Sequence, residues 1–137
     1  MSPMASPMAS AATTVWLSTA ARRVTAAPTR MEVQRVAAAR GIAGPVLAWR
    51  ADDDVQVVAV GDGLRIGRSL SAHVRLEDAH TSRRHARLLG NEAGLTLCEE
   101  SSANGVWLNG DRVDVQAAVR DGDRVVVGVT ELLVVVV

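Results

Sequence analysis

Three short segments of this chain combine side chains that could hold a phosphate group. They are residues 64–68 (LRIGR), 81–86 (TSRRHA) and 102–105 (SANG), which lie within about forty residues of one another. A phosphorylated side chain carries up to two negative charges and three acceptor oxygens. The planar guanidinium of an arginine can donate two bonds to such a group at once, and hydroxyl and amide side chains add neutral donors. Arg68, Ser82 and Asn104 therefore have the chemistry to converge on a phosphorylated chain.

Each of these residues also has an ordinary structural explanation. An isolated Gly67-Arg68 pair is commonly a flexible turn with a solvated arginine at the end of a strand. A loop serine such as Ser82 often bonds its own backbone, and Asn104-Gly105 is a common turn pair. The order and spacing of the three segments favour binding, with Gly67 allowing a tight turn that exposes Arg68.

Two catalytic or metal interpretations of the same residues are weaker. Ser82 and His85 could form a nucleophile and its base, but they are three residues apart and no G-x-S-x-G motif accompanies them. His73 and His80 lack metal-ligand spacing with His85. The single cysteine, Cys98, excludes an internal disulfide and a zinc cluster built on cysteines, and it is expected to be a buried structural thiol. We therefore expect no catalytic residue, no metal and no cofactor.

The charge composition argues against two classes of partner. The chain has 137 residues, 15 basic and 15 acidic side chains and a formal net charge of zero, and all of its basic residues are arginines. No global field attracts such a chain to nucleic acid or to a membrane surface. The apolar C-terminal run, residues 132–137, is far shorter than the roughly eighteen residues of a membrane helix, and it predicts a final strand. We expect neither a membrane nor a nucleic acid as partner.

The first part of the sequence differs from the rest. Residues 1–31 contain no acidic side chain and are rich in Ala, Ser, Thr, Met and Pro. This composition fits either an organelle transit peptide or an unstructured tail of a bacterial protein, so the compartment is an organelle or the bacterial cytoplasm. Residues 1–44 are predicted to be a flexible tail, with a short helix at residues 31–40 that ends before Gly41.

From residue 45 onward, short apolar runs alternate with turn residues. This pattern predicts an all-β, two-sheet β-sandwich over residues 45–137. The predicted strands lie at residues 46–49, 55–60, 64–66, 73–76, 85–89, 95–97, 106–108, 112–115, 125–127 and 132–136. Asn109-Gly110 predicts a tight hairpin, because a type I′ turn needs positive φ at both central residues.

The ordered set I-G-R, S-x-x-H-A and S-x-N-G resembles the forkhead-associated (FHA) domain, over about residues 46–136. The resemblance implies a sandwich of about eleven strands with its recognition loops at one end. It also implies a non-catalytic module that binds phosphothreonine-containing proteins or peptides downstream of a serine/threonine kinase. The implied phosphopeptide-binding residues are Arg68, Ser82, Arg83 and Asn104, and the implied loop-structuring residues are Gly67, His85 and Gly105.

This chain departs from the family pattern at two positions. Many members have Thr or Ser immediately before the Asn of S-x-N-G, where this chain has Ala103, and many have Thr after the N-G, where it has Val106. One hydroxyl that could bind phosphate is therefore missing, which would cost about 1.5–3 kcal/mol of binding free energy if it made a charge-assisted bond.

The alternative function is a phosphate-independent interaction or assembly module on the same fold.

Overall fold

The computed structural model describes residues 14–17 and 22–137. It contains one helix and thirteen strands within those residues. The elements are β1 Thr14–Leu17, β2 Arg22–Thr25, α1 Arg30–Arg40, β3 Pro45–Ala51, β4 Asp54–Ala59, β5 Gly63–Gly67, β6 Val74–Arg75, β7 Ala86–Asn91, β8 Gly94–Glu99, β9 Val106–Leu108, β10 Asp111–Arg112, β11 Gln116–Val119, β12 Arg124–Val127 and β13 Thr130–Val136.

The strands form two sheets. The larger sheet has eight strands in the path β1-β2-β13-β12-β9-β10, with β3 also paired to β13 and β4 paired to β3. The smaller sheet has five strands in the order β11-β8-β7-β5-β6. Only the β5–β6 pair of the smaller sheet is parallel. The predicted two-sheet β-sandwich is confirmed, and the eleven strands from β3 onward agree with the predicted number.

The main core lies between the two sheets. The larger sheet contributes Leu47, Leu132 and Val134, and the smaller sheet contributes Ile66 and Leu88, all at most 1% exposed. Their alternation along each strand puts every second side chain into this layer, as a pleated strand requires. With Trp49 as the one aromatic side chain in this cluster, the interior is filled by branched aliphatic residues.

Helix α1 covers the outer face of the larger sheet. Val33 and Ala37 of the helix pack on Val46, Val57 and Val135 in a second apolar cluster. Because β3 lies between this cluster and the main core, residues 46–50 are all buried.

Capping residues define where the helix begins and ends. Thr29 and Glu32 form a capping box, with the Glu32 amide donating to Thr29 Oγ1 over 3.2 Å and the Thr29 amide donating to Glu32 Oε1 over 2.9 Å. Gly41 ends the helix in the left-handed conformation, at φ 68°. The helix indicated at residues 31–40 is thus present from Arg30 to Arg40.

The folded body begins before residue 45. Besides the packed helix, Val24 of β2 is fully buried beside Trp107 and Val126, and the Thr25 amide donates to the Val129 carbonyl over 2.8 Å. Much of the segment expected to be a flexible tail is therefore folded onto the larger sheet, because it supplies apolar side chains to that sheet's outer face. Residues 1–13 and 18–21 lie outside the described residues, and the transit-peptide interpretation of them stays a prediction.

The strand assignments differ most after residue 108. Asn109 and Gly110 have φ values of 51° and 90° and connect β9 to β10, as the hairpin prediction requires. The single strand predicted at residues 112–115 is instead replaced by β10 in the larger sheet and β11 in the smaller one. Within the described residues, no helix is long and apolar enough to cross a membrane.

Candidate phosphopeptide-binding site

Three loops meet at one end of the sandwich. They follow β5 (residues 68–73), precede β7 (residues 76–85) and follow β8 (residues 100–105), and we call them the recognition loops. All of the site residues predicted from the sequence lie in them or directly beside them. The Gly44 and Val137 backbones pair with each other at the opposite end, over 2.7 and 2.9 Å.

Gly67 allows the first two recognition loops to touch. The Arg68 amide donates to the Ser82 carbonyl over 3.0 Å, and the Ser69 amide donates to the Arg83 carbonyl over 3.1 Å. A Cβ at Gly67 would overlap the Arg83 carbonyl oxygen and lie 3.0 Å from the Ser82 oxygen. Its φ lies outside the positive region, so the requirement for glycine comes from this close approach and not from the tight turn expected from the sequence.

His85 links the second loop to the third. Its side chain is fully buried, and its Nδ1 accepts from the Ser82 amide over 2.9 Å. Because Nδ1 is an acceptor, Nε2 carries the ring hydrogen and donates to the Gly105 carbonyl over 2.7 Å. Both ring nitrogens are bonded to backbone, so this geometry leaves neither of them for the Ser82 hydroxyl.

Arg68 and Ser82 are held in place while keeping donors free for a ligand. Arg68 is exposed, and its Nε donates to the Thr81 carbonyl over 3.0 Å. Ser82 Oγ accepts from the Ala103 amide over 3.1 Å, so the hydroxyl hydrogen can point to another acceptor. Each side chain is thereby oriented by a backbone group of a recognition loop.

Asn104 reaches across to the second loop. Its Nδ2 donates to the His80 carbonyl over 2.9 Å. Among the described residues, its Oδ1 has no donor, and an unpaired acceptor on a half-buried side chain suits the amide of an extended peptide. The structure therefore gives Asn104 a role in bracing the loop in addition to the expected role in binding.

The second loop rests on a turn that the sequence did not indicate. Asp78 accepts from the His80 amide over 2.9 Å and from the buried Thr81 hydroxyl over 2.8 Å. Gly128, between β12 and β13, lies against this turn, and a Cβ there would overlap Thr81 Oγ1. The carbonyl of Thr81 then fixes Arg68, so the turn positions the arginine indirectly.

Glu99 organises the third loop. Its carboxylate accepts from the Ser101 amide over 2.9 Å and from the Ser102 amide and hydroxyl, the latter over 2.8 Å. Burial raises the pKa of Glu99, but the bonds from Ser102 and Ser101 and the proximity of His85 lower it by more, so it lies below the usual 4.5. Ser102 Oγ also accepts from the Gly105 amide over 3.0 Å, which orders the loop around Asn104.

Comparisons with known proteins agree with this geometry. A family model of the FHA domain matches residues 64–128, a segment that contains every site residue predicted above. The crystal structure of the FHA-1 domain of Rv1747 from Mycobacterium tuberculosis is 30% identical, with a TM-score of 0.53, over 68% of this chain and 99% of that domain. The chain belongs to the FHA-domain family.

The full-length transporter Rv1747 and one further solved domain are also similar to this FHA domain. The curated ABC transporter ATP-binding/permease protein Rv1747 of Mycobacterium tuberculosis is 36% identical over 70 residues, which are 51% of this chain and only 8% of the transporter. A domain solved in a study of phosphothreonine-dependent FHA domain interactions is 27% identical, with a TM-score of 0.57, over 67% of this chain and 97% of that domain. FHA domains are non-catalytic binding modules, and homologues bind phosphothreonine peptides.

Arg83 and Arg84 are both exposed and lie on the same side of the FHA domain. The family resemblance implied a binding role for Arg83 alone, and both residues line one cleft beside the recognition loops. Arg65 lines the same cleft, and sequence reasoning gave it no role. No sequence motif marks Arg65 as a site residue, because only the pairing of β5 with β7 brings it to the cleft that Arg83 lines.

Within the described residues, no three His, Cys, Asp or Glu side chains are grouped so that they could hold a metal. His73 Nδ1 accepts from the Arg65 amide over 2.9 Å, which ties it to β5. Cys98 is a free thiol, 8% exposed.

Proposed function

We propose that this FHA domain binds phosphothreonine-containing proteins through Arg68, Ser82, Arg83 and Asn104, downstream of a serine/threonine kinase. The observation that carries the proposal is the position of Arg68. Its Nε is bonded to the loop, while its two terminal nitrogens have no partner among the described residues and remain free to donate to a phosphate.

Ser82 and Asn104 supply neutral groups from the second and third recognition loops. Ser82 keeps its hydroxyl hydrogen, and Asn104 keeps its Oδ1 for the main chain of the ligand. The missing hydroxyl at Ala103 removes one phosphate donor, and the exposed charge of Arg83 compensates for it in part. A homologous domain studied for phosphothreonine-dependent interactions supports this assignment.

The test begins with an oriented phosphothreonine peptide library on the full chain, followed by calorimetric titration of the selected peptide and its unphosphorylated twin. The phosphorylated peptide should bind and the twin should not. Arg68→Ala should weaken binding by about 2–4 kcal/mol, the range for truncating one partner of a charge pair. Ser82→Ala should weaken it less, because its hydroxyl is a neutral donor.

Arg35→Ala is the matched control, since Arg35 is an exposed arginine on helix α1 at the outer face of the other sheet. It should leave the affinity unchanged. An Arg68→Ala affinity within threefold of wild type would contradict the assignment. Equal binding of the phosphorylated peptide and its twin would favour the alternative, a phosphate-independent interaction module.

A further inference from the structure

A cleft rich in arginines lies on the outer face of the smaller sheet, next to the recognition loops. Its volume is about 480 Å³, and its charged lining consists of Arg65, Arg83, Arg84, Arg87 and Glu100. We call it the arginine cleft. Arg68, Ser82 and Asn104 do not line it, whereas Arg83 does, so the cleft adjoins the phosphothreonine site and extends beyond it.

The sheet register places two of these arginines directly opposite each other. Arg65 on β5 pairs with Arg87 on β7, and both side chains are on the outer face because their neighbours Leu64, Ile66 and Leu88 are in the core. Like charges in direct cross-strand positions destabilise a sheet. An anion bound near such a pair would offset this repulsion.

The protein supplies only part of that compensation. Arg87 Nε donates to Glu100 over 2.6 Å, and Arg65 donates to the Ser71 carbonyl over 3.0 Å. Arg65, Arg83 and Arg84 form no salt bridge within the described part of the chain, whereas elsewhere on the sheets Arg75 pairs with Glu77 and Arg124 with Glu131. The cleft therefore has an excess of positive charge.

The arginine cleft is continuous with the phosphothreonine site. Arg83 lines the cleft and follows Ser82 directly, and the Ser69 amide, also at the cleft, donates to the Arg83 carbonyl. A peptide that has its phosphate at Arg68 and Ser82 must leave the site past the recognition loops, and one direction leads over this cleft.

We propose that the arginine cleft binds a second anionic group of the same phosphopeptide, either an acidic side chain or a second phosphorylated residue. This inference rests on the proposed function. Carboxylates and phosphates share the planar arrangement of acceptors that an arginine fork recognises. The cleft would thus select phosphothreonine peptides with a negatively charged flank.

The test uses the full chain and three peptide sets that share one phosphothreonine core. Flanking positions on both sides of the phosphothreonine carry Gln, Glu or phosphoserine, one position at a time. Titrations compare wild type with Arg65→Gln and Arg84→Gln, and Arg35→Gln is the control. For wild type, at least one flanking position should improve affinity by about threefold or more with Glu or phosphoserine, as expected for a solvent-accessible charge pair.

The two cleft variants should lose that improvement and bind the Gln peptides within about twofold of wild type, as expected when a residue contacts only the flank. The control should keep the improvement, and added salt should reduce it because exposed charges are screened. If only the Glu peptides bind more tightly, the cleft binds an acidic side chain. If only the phosphoserine peptides do, it binds a second phosphorylated residue.

Three results would overturn the inference. The first is phosphate-dependent binding with equal affinity for the Gln, Glu and phosphoserine peptides. The second is a preference for a charged flank that is unchanged in the Arg84→Gln variant. Either result would overturn the inference and leave the proposed function intact. Failure to bind any phosphothreonine peptide would overturn the proposed function and the inference together. Arg84 makes no hydrogen bond within the described residues, so its variant tests charge without disturbing a loop.

Discussion

The recognition loops and the helix-covered face of the larger sheet are stabilised in different ways. The loops are joined by hydrogen bonds: the buried His85 ring bonds the Ser82 amide and the Gly105 carbonyl, and the carbonyl of buried Thr81 accepts from Arg68. The helix face is mainly apolar, with Val33 and Ala37 packed on the sheet. Its edge carries two ion pairs, Arg50 with Glu32 at 2.7 Å and Arg30 with Asp121 at 3.1 Å. Within the described part of the chain, four polar or charged residues are buried, and two of them, Thr81 and His85, belong to the loops.

This difference follows from what each region must do. Hydrophobic burial is non-directional, so it holds the helix on the sheet without fixing any group to a fraction of an ångström. Hydrogen bonds depend on direction and distance, and a binding site needs its groups held in place by such bonds. We therefore expect polar and steric changes in the loops to disturb binding, and equivalent changes elsewhere to have small effects.

The largest effect is expected for Gly67→Ala. The new Cβ would collide with the Arg83 carbonyl, a backbone atom that cannot rotate away. We expect a loss of stability of about 3 kcal/mol or more, since forced overpacking often costs 1–3 kcal/mol even when side chains can adjust. Urea unfolding would measure the loss, and phosphopeptide affinity should fall with it.

Gly63→Ala is the matched control, at the other end of the same strand. Its new Cβ would lie 3.0 Å from Leu89 Cδ2, the tip of a flexible side chain, and 3.5 Å from the nearest backbone oxygen. It should cost much less stability and leave affinity unchanged. Equal losses of stability in the two variants would show that the close approach of the Arg83 carbonyl is not what requires glycine at position 67.

The second expectation concerns His85→Ala. The change would leave the Ser82 amide and the Gly105 carbonyl without their partner, and would open a cavity at a fully buried position. Each unsatisfied buried group costs about 1–3 kcal/mol, so we expect a loss of about 2 kcal/mol or more and a lower melting temperature.

His73→Ala is the control for this change, because His73 is exposed and water can replace its bond to the Arg65 amide. Calorimetric melting of both variants would compare them. A His85→Ala variant with unchanged stability and abolished binding would mean that the imidazole acts on the ligand and not on the loops.

The sequence predicted the fold well because periodicity and turn residues are local signals. Alternation predicted most strands, Asn109-Gly110 predicted its hairpin, and Gly41 marked the end of the helix. The same reasoning missed β11, because polar and apolar residues do not alternate in Gln116–Val119. It also missed how residues 23–44 pack on the larger sheet, since docking of the helix depends on the partner surface.

The site was only partly predictable for a similar reason. Motif spacing indicated Arg68, Ser82 and Asn104, but the contact of Gly128 with the Asp78–Thr81 turn joins segments far apart in sequence. The facing arginines Arg65 and Arg87 depend on strand register, which no local pattern of this chain specifies.

The third expectation compares the two regions at low pH. Hydrogen bonds lower the pKa of Glu99 in the loops, and the Thr29 amide and Arg50 lower the pKa of Glu32 at the helix, both below the usual 4.5. A lowered folded-state pKa stabilises the protein above the ordinary pKa, and this contribution is lost as pH falls through the folded value. Stability should therefore decline below about pH 4.5.

Glu99→Gln and Glu32→Gln should each reduce this decline and lower stability at neutral pH by about 1 kcal/mol, since bonds to a charged group become bonds to a neutral one. Only Glu99→Gln should also weaken phosphopeptide binding, because Ser102 and the Asn104 loop depend on it. The free energy of unfolding would be measured as a function of pH. Binding would be measured only at neutral pH, because the phosphate itself titrates at about pH 6. Weaker phosphopeptide binding by the Glu32→Gln variant would contradict the expectation that changes at the helix face leave the recognition loops unaffected.

The smallest effect on stability is expected for Ala103→Thr. Ala103 is exposed, and its amide already donates to Ser82 Oγ, so a larger side chain there meets solvent and leaves the loop contacts intact. Stability should change by less than about 0.5 kcal/mol, as for most surface substitutions. The added hydroxyl would supply the phosphate donor that many family members have, and affinity should rise by about tenfold, equivalent to about 1.4 kcal/mol. Ala103→Val, which adds the same bulk without the hydroxyl, is the control and should show no gain. A rise in both variants would point to contact with the peptide through bulk alone, and a rise in neither would show that the phosphate lies out of reach of this position.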